Sequence, residues 1–157
     1  MSTYGTLIFI SHGKSVQTYN HNDSRPHPYG IALATELHYL LKQHGLPWLQ
    51  NCINALQPID GESAPPTASD ISKLEPYTNL QIGTCNNWFT LLYGTMGSIQ
   101  RIIDSGYIFK YPCTEDYNYT INLDKNTLSM EYKTTVKIYR FNQLDDCISA
   151  WSHPTVA

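Results

Sequence analysis

Positive charge is scarce in this sequence and is scattered singly. Ten Lys and Arg stand against thirteen Asp and Glu, for a net charge of −3. Duplex nucleic acid is held largely by neutralising its phosphates, so a nonspecific DNA or RNA binder should be basic. This chain is not, and duplex nucleic acid is excluded as a partner. A compact anionic ligand stays open, because two or three local cations suffice for it. Long apolar runs are missing too. Leu7–Ile10 is typical of the longest, far below the ~20 residues that span a bilayer. The opening MSTYGTLIFIS has no basic leader ahead of its apolar run, so no secretion signal and no membrane partner are expected.

Close cysteine pairs are absent as well. Cys52, Cys85, Cys113 and Cys147 lie far apart and never form CxxC, whereas structural zinc sites draw ligands in pairs from short spacings. They read as reduced, mostly buried thiols of a cytoplasmic protein (host cytoplasm if phage-encoded), with Cys113 the most exposed because it follows Pro112 in a loop. Neither GxGxxG nor GxxxxGK[ST] occurs, and nothing resembles a nucleophile elbow or a caspase-like or papain-like pattern. No catalytic residue, cofactor or metal is assigned. A Cys–His or Ser–His pair stays open only because such partners meet in space.

Tyrosine, by contrast, is abundant: 12 among 157 residues. Tyr supplies flat contact area and a hydroxyl at small entropic cost, which suits a binding protein; aromatic strands of a small sheet account for it equally. The length fits one domain, residues 1–157, with about two thirds of its unfolded surface buried.

Gly5–Ser11 is β-branched and aromatic, His12-Gly13-Lys14 supplies turn chemistry, and Ser15–Tyr19 alternates, which together predict an N-terminal hairpin. In IALATELHYLLKQHG, Ile31, Leu33, Ala34, Leu37, Leu40 and Leu41 share one helical stripe, with Gly45 as its C-terminal cap. Pro47 opens a second short helix carrying Trp48, Leu49, Ile53 and Leu56. Residues 57–69 read as a loop, Asp70 as the cap of a short helix, and LQIGTCNNW as the start of a strand. Trp88 to Ile103 keeps helical spacing, but Gly94 and Gly97 each cost ~1 kcal/mol, which moves the helix start towards Gly97-Ser98. DYNYTINLD, TLSMEYK and VKIYRF form a meander, and FNQLDDCISAW a closing helix. The predicted fold class is α+β: an antiparallel sheet, made of the hairpin and the meander, backed by helices on one face.

The polar stretch YNHNDSRPHPYG, residues 19–30, lies between the hairpin and the first helix. Asp23 can accept from the amide two residues on and fix the turn, while Pro26 restricts Arg25 to extended angles. Gly30 can bring the amides of the helix start close to an anion, with His21, Arg25 and His27 as neighbouring cations, a constellation able to hold phosphate. The bland alternative is that Asp23 and Pro26 only shape a turn and His21 packs under it. H-x-D-x3-H is not an established metal spacing. Asn86-Asn87-Trp88 offers amides beside an indole, suited to a nucleobase or simply to covering the core edge. Arg101 and Arg140 are isolated cations, either solvated or a second phosphate contact. The candidate ligand-binding set is Tyr19, His21, Asp23, Arg25, His27, Asn87, Trp88 and Arg101.

The order strand, Y-x-H-x-D-x-x-P-x-x-x-G, apolar helix, after an MST opening, resembles a group of small phage and bacterial proteins that begin MSTR or MGTR and carry HxDGYPxxxG at this place. His21, Asp23, Pro26 and Gly30 match that pattern; Tyr4, Ser24 and Arg25 replace its Arg, Gly and Tyr. YNYTINLD followed by FNQL resembles the group's closing strands and F-x-x-L. The resemblance covers the first ~45 residues well and the last third loosely. It implies a phage-type binding protein that sequesters a small nucleotide signal of antiviral defence, cyclic or linear, without turnover. Sites shared between copies would bury more of such a charged ligand, so a homo-oligomer is expected. Two alternatives stand beside it: an interaction module blocking a host or phage protein through its Tyr-rich sheet, and a small phosphodiesterase or nucleotide hydrolase with His21 and His27 as acid and base.

Overall fold

The computed structural model describes residues 3–152; Met1 and Ser2 of the MST opening and residues 153–157 lie outside the described residues. Strands β1 (Gly5–Ser11) and β2 (Lys14–Asn20) form the hairpin, paired from Ser11↔Lys14 to Gly5↔Asn20. His12 (φ 52°) and Gly13 (φ 71°) both turn through the left-handed region, as a two-residue hairpin loop requires. The Asp124 carboxylate accepts from both turn amides at 2.8 and 2.9 Å, which pins the loop to the far end of the sheet.

After the polar stretch come α1 (Ile31–His44), ended by Gly45, and α2 (Leu46–Asn54) with Pro47 in its first turn. A run of short elements follows: β3 (Gln57–Ile59), α3 (Ala68–Lys73), α4 (Trp88–Leu92), α5 (Ile99–Ser105) and β4 (Tyr107–Phe109). The chain closes with β5 (Tyr117–Asn122), β6 (Thr127–Tyr132), β7 (Thr135–Arg140) and α6 (Leu144–Trp151). The α+β class, the hairpin and the meander are as expected from the sequence.

The main sheet has the order β2-β1-β5-β6-β7. It is antiparallel except at its centre, where β5 runs parallel to β1 from Gly5↔Tyr117 to Ile10↔Asn122. The hairpin occupies one edge of β1, and the long helical crossover returns the chain to the same end, so the next strand must pair in parallel. Alternation sends Leu7, Phe9, Tyr119, Ile121, Leu128 and Met130 inward. They meet Leu33, Leu37 and Leu40 of α1 and Leu144, Cys147 and Trp151 of α6 in one core. A smaller cluster joins Ile59, Leu74, Trp88, Leu91, Leu92 and Met96.

Three local readings are corrected by this arrangement, and a fourth is refined. The 57–69 loop begins with a strand, because Gln57–Ile59 pairs in parallel with Tyr107–Phe109. Asp70 is not the cap of α3: Thr67 is, and Asp70 completes a capping box by accepting from the Thr67 amide at 2.9 Å. LQIGTCNNW forms turns rather than a strand, with Gln81 and Ile82 amides turned back onto Asn79. The helix after Gly97-Ser98 is as expected, since α5 starts at Ile99 with Ser98 as its cap, and what the sequence missed is the separate short α4 before it. At Gly94 a Cβ would stand 2.7 Å from the Tyr77 carbonyl oxygen, and Gly97 has φ 89°, so the backbone there needs glycine.

All four cysteines are free, and Cys113 is the exposed one. No helix among the described residues is long and apolar enough to cross a membrane.

Candidate functional site

The polar stretch is tied down from within. Buried Asn20, the last residue of β2, donates through Nδ2 to Ser24 Oγ at 2.8 Å, Ser24 N donates to the Thr3 carbonyl at 2.7 Å, and Tyr119 OH donates to the Ser24 carbonyl at 2.5 Å. Asp23 accepts from the Arg25 amide at 3.2 Å and from Arg25 Nε at 2.9 Å, and Arg25 Nη2 closes the fork on the second carboxylate oxygen. The Arg25 hydrogen bond lowers the Asp23 pKa. Asp23 therefore shapes the turn, as expected, and also pairs with the exposed Arg25 guanidinium through Nε and Nη2.

The helix start is closed in the same way. Tyr29 and Gly30 amides donate to the Arg25 carbonyl at 2.9 and 3.4 Å, and the Ile31 amide turns back to the Pro26 and Pro28 carbonyls. Gly30 lies against Met130, whose Cε would be 2.8 Å from an added Cβ. Gly30 is small to admit a core side chain, not an anion. His27 Nδ1 sits 2.9 Å from the Trp151 carbonyl oxygen at the end of α6.

His21 goes elsewhere. Its ring stacks on Tyr93 at 3.8 Å and 14°, and its Nδ1 is buried without a hydrogen-bond partner among the described residues. Burial lowers its pKa, so the ring is neutral at pH 7 and is not the cation expected from sequence. It lines a cavity of about 200 Å³ walled by Asn20, Asn22, Tyr93, Ser98 and Arg101. His27 is not part of that wall, so the two histidines do not share a site as an acid–base pair would. Arg101 projects from α5 and donates to the Gly94 carbonyl at 3.2 Å, with no carboxylate partner among the described residues.

The α5 end of the cavity is already supplied with an anion from the chain. The Glu36 carboxylate of α1 accepts from Ser98 Oγ, Ile99 N and Gln100 N at 2.9, 2.7 and 3.3 Å. Tyr29 OH adds a bond to the Gly97 carbonyl at 2.7 Å. Beyond the cavity runs an aromatic band. Tyr19 lies 4.7 Å from Tyr111, 5.6 Å from Tyr4 and 6.2 Å from both His21 and Phe89. Burial, helped by nearby Tyr4 and Glu115, pushes the Tyr19 pKa up to about 12, so its hydroxyl is a hydrogen-bond donor throughout the physiological range.

Asn87 and Trp88 have structural duties instead. Asn87 caps α4 by accepting from the Phe89 amide at 2.9 Å. Trp88 is buried, donates to the Ala64 carbonyl at 2.8 Å and packs on Tyr107, so its ring offers no face to a base. Of the eight candidates the fold gathers Tyr19, His21 and Arg101; Asp23 and Arg25 serve each other, His27 bonds to α6, Asn87 caps α4, and Trp88 packs in the smaller cluster. Asn20, Tyr93 and Ser98 were not anticipated. The Gly94–Gly97 break was the available signal, because a break between two short helices exposes backbone and side chains to a cavity.

Larger open cavities of about 550, 490 and 420 Å³ exist. The smaller one is singled out because it is lined both by His21, whose buried Nδ1 lacks a partner, and by Arg101, whose guanidinium has no carboxylate partner among the described residues. Among the described residues no three His, Cys, Asp or Glu side chains are placed to hold a metal ion. No protein-family model, curated protein or solved structure matches the chain.

Proposed function

We propose that this chain is a non-catalytic binding protein for a small anionic, nucleotide-like ligand, held where His21 and Arg101 face one cavity. The observation that carries the reading is that Arg101 and His21, whose Nδ1 is buried without a hydrogen-bond partner, line one cavity. A buried polar nitrogen without a partner is costly, and a ligand group that reaches it on a small shift of the ring recovers that cost. A cavity of about 200 Å³ is below the ~300–1,000 Å³ usual for whole ligands. It takes one moiety, a phosphate on Arg101, while the base lies on the Tyr19–Tyr111 band. Sequestration of a defence signal, in a phage-type protein acting in the host cytoplasm, is the biological form this reading takes; it is supported by the resemblance of the polar stretch. A homo-oligomer would deepen a site that one copy leaves shallow.

The test is incubation with a panel of mono-, di- and cyclic nucleotides, followed by heat release and chromatography. Intact ligand recovered in proportion to protein is the expected result. Arg101→Ala should lower affinity about ten- to a hundredfold, because charge-assisted hydrogen bonds contribute ~1.5–3 kcal/mol. His21→Phe keeps the stack on Tyr93 but removes the nitrogen and should weaken binding about tenfold. Altered ligand would make the protein an enzyme, and no retained ligand an interaction module; binding unaffected by both substitutions would move the site elsewhere.

A further inference from the structure

A second cavity, of about 550 Å³, opens where the β5–β6 turn, the end of β7 and the α1–α2 junction converge. Its walls carry Lys125 and Arg140, with Leu41, Leu46 and Phe141 as the apolar floor. The charge there is one-sided: two of the chain's ten cations and none of its thirteen carboxylates line it. Neither cation has a carboxylate partner among the described residues. The acid adjacent in sequence, Asp124, is engaged by the His12 and Gly13 amides, which also lower its pKa. Both cations are exposed, while the three apolar side chains are half-buried and packed against the main core.

The walls are held in place. Phe141 N donates to the Asn126 carbonyl at 2.9 Å, which ties the β5–β6 turn to the end of β7. Asn122 Oδ1 accepts from Asp124 N and Lys125 N at 3.0 Å each and fixes the turn that presents Lys125. Arg140 N is held by Gln143 Oε1 at 3.1 Å. Cations beside an apolar floor select a molecule with both parts, since an oxyanion pairs with the rim while an alkyl body leaves water on the floor. We propose that this cavity binds a small amphipathic anion: an alkyl chain ending in an oxyanion. This site is separate from the His21–Arg101 cavity and does not rest on its reading.

Octanoate is the probe, followed by amide chemical-shift titration of the full chain, with octanol, acetate and octylamine as controls. Octanoate should shift Leu46, Asn126, Phe141 and Asn142 in a saturable way. Octanol lacks the charge, acetate the body, and octylamine carries the wrong sign, so each should bind at least tenfold more weakly. Lys125→Gln and Arg140→Gln should each weaken octanoate about tenfold with the melting temperature unchanged, since both side chains are exposed. Leu46→Gln should weaken it as well; if that variant unfolds, the two charge variants still decide. The proposal is overturned if octanoate causes no saturable shift, or shifts other residues. It is equally overturned if octanol or acetate binds as tightly, or if both charge variants bind as the parent does.

Discussion

His21 shows how one side chain can carry a cost that the fold tolerates. The ring stacks on Tyr93 and is partly removed from water, so its protonated form is disfavoured and its pKa is lowered. The unfolded chain therefore takes up a proton near pH 6.5, the ordinary histidine value, before the folded chain does. In that window the unfolded state binds more protons, so this residue's contribution is full above pH 6.5 and is lost as pH falls through the folded value. His21→Phe should flatten the fall in melting temperature between pH 7.5 and 5 relative to the parent; a variant with the same slope would show that His21 is not desolvated. Gly97 is the second single residue on which the site depends. Its φ of 89° disfavours any Cβ, and an added Cβ would stand 2.5 Å from Asn20 Oδ1. Gly97→Ala should cost ~1–3 kcal/mol by chemical denaturation and disturb the cavity wall directly.

At the level of elements, what was legible in the sequence follows length and period. α1 repeats its apolar stripe over fourteen residues, and β5 and β6 alternate over six each, so local pattern and tertiary burial agree there; the edge strand β7 instead leaves Val136 and Ile138 exposed. Leu37, fully buried at the centre of that stripe, should cost ~2–5 kcal/mol when cut to Ala; a smaller loss in urea unfolding would mean the α1 face is not the core. The region from β3 to α5 was less legible because its elements are three to seven residues long and exist through distant partners. α5 itself starts where the sequence placed it, with Ser98 as its cap, but its first amides are satisfied by Glu36, which sits on a different helix. No local pattern could announce that. Glu36→Ala should cost ~1–3 kcal/mol, because it strands amides that a charged acceptor satisfied, and Glu36→Gln, keeping one acceptor oxygen, should cost less.

Across the whole molecule, function was least legible for a geometric reason. His21 and Arg101 are far apart in sequence and meet only because α5 returns to the end of β2, so no motif spacing could join them. Their meeting place is also a joint. The main core unites the sheet with α1, α2, α5 and α6, whereas the smaller cluster holds six buried residues drawn from short elements and loops. Little surface is buried in the second, so it should open at lower free energy than the sheet does. The stack of His21 on Tyr93 and the Tyr19–Phe89 contact bridge the end of β2 and the segment around α4. His21→Ala removes the first bridge without touching either core. Hydrogen exchange followed by mass spectrometry should then show faster exchange in peptides covering 88–98, with β1, β5 and α1 unchanged. Equal acceleration everywhere would mean that the molecule opens as one unit, and no acceleration would mean that the stack transmits nothing. The expected pattern places the proposed ligand site at the seam between a rigid sheet and a looser cluster. A ligand bridging His21 and Arg101 should then slow exchange most in that same segment.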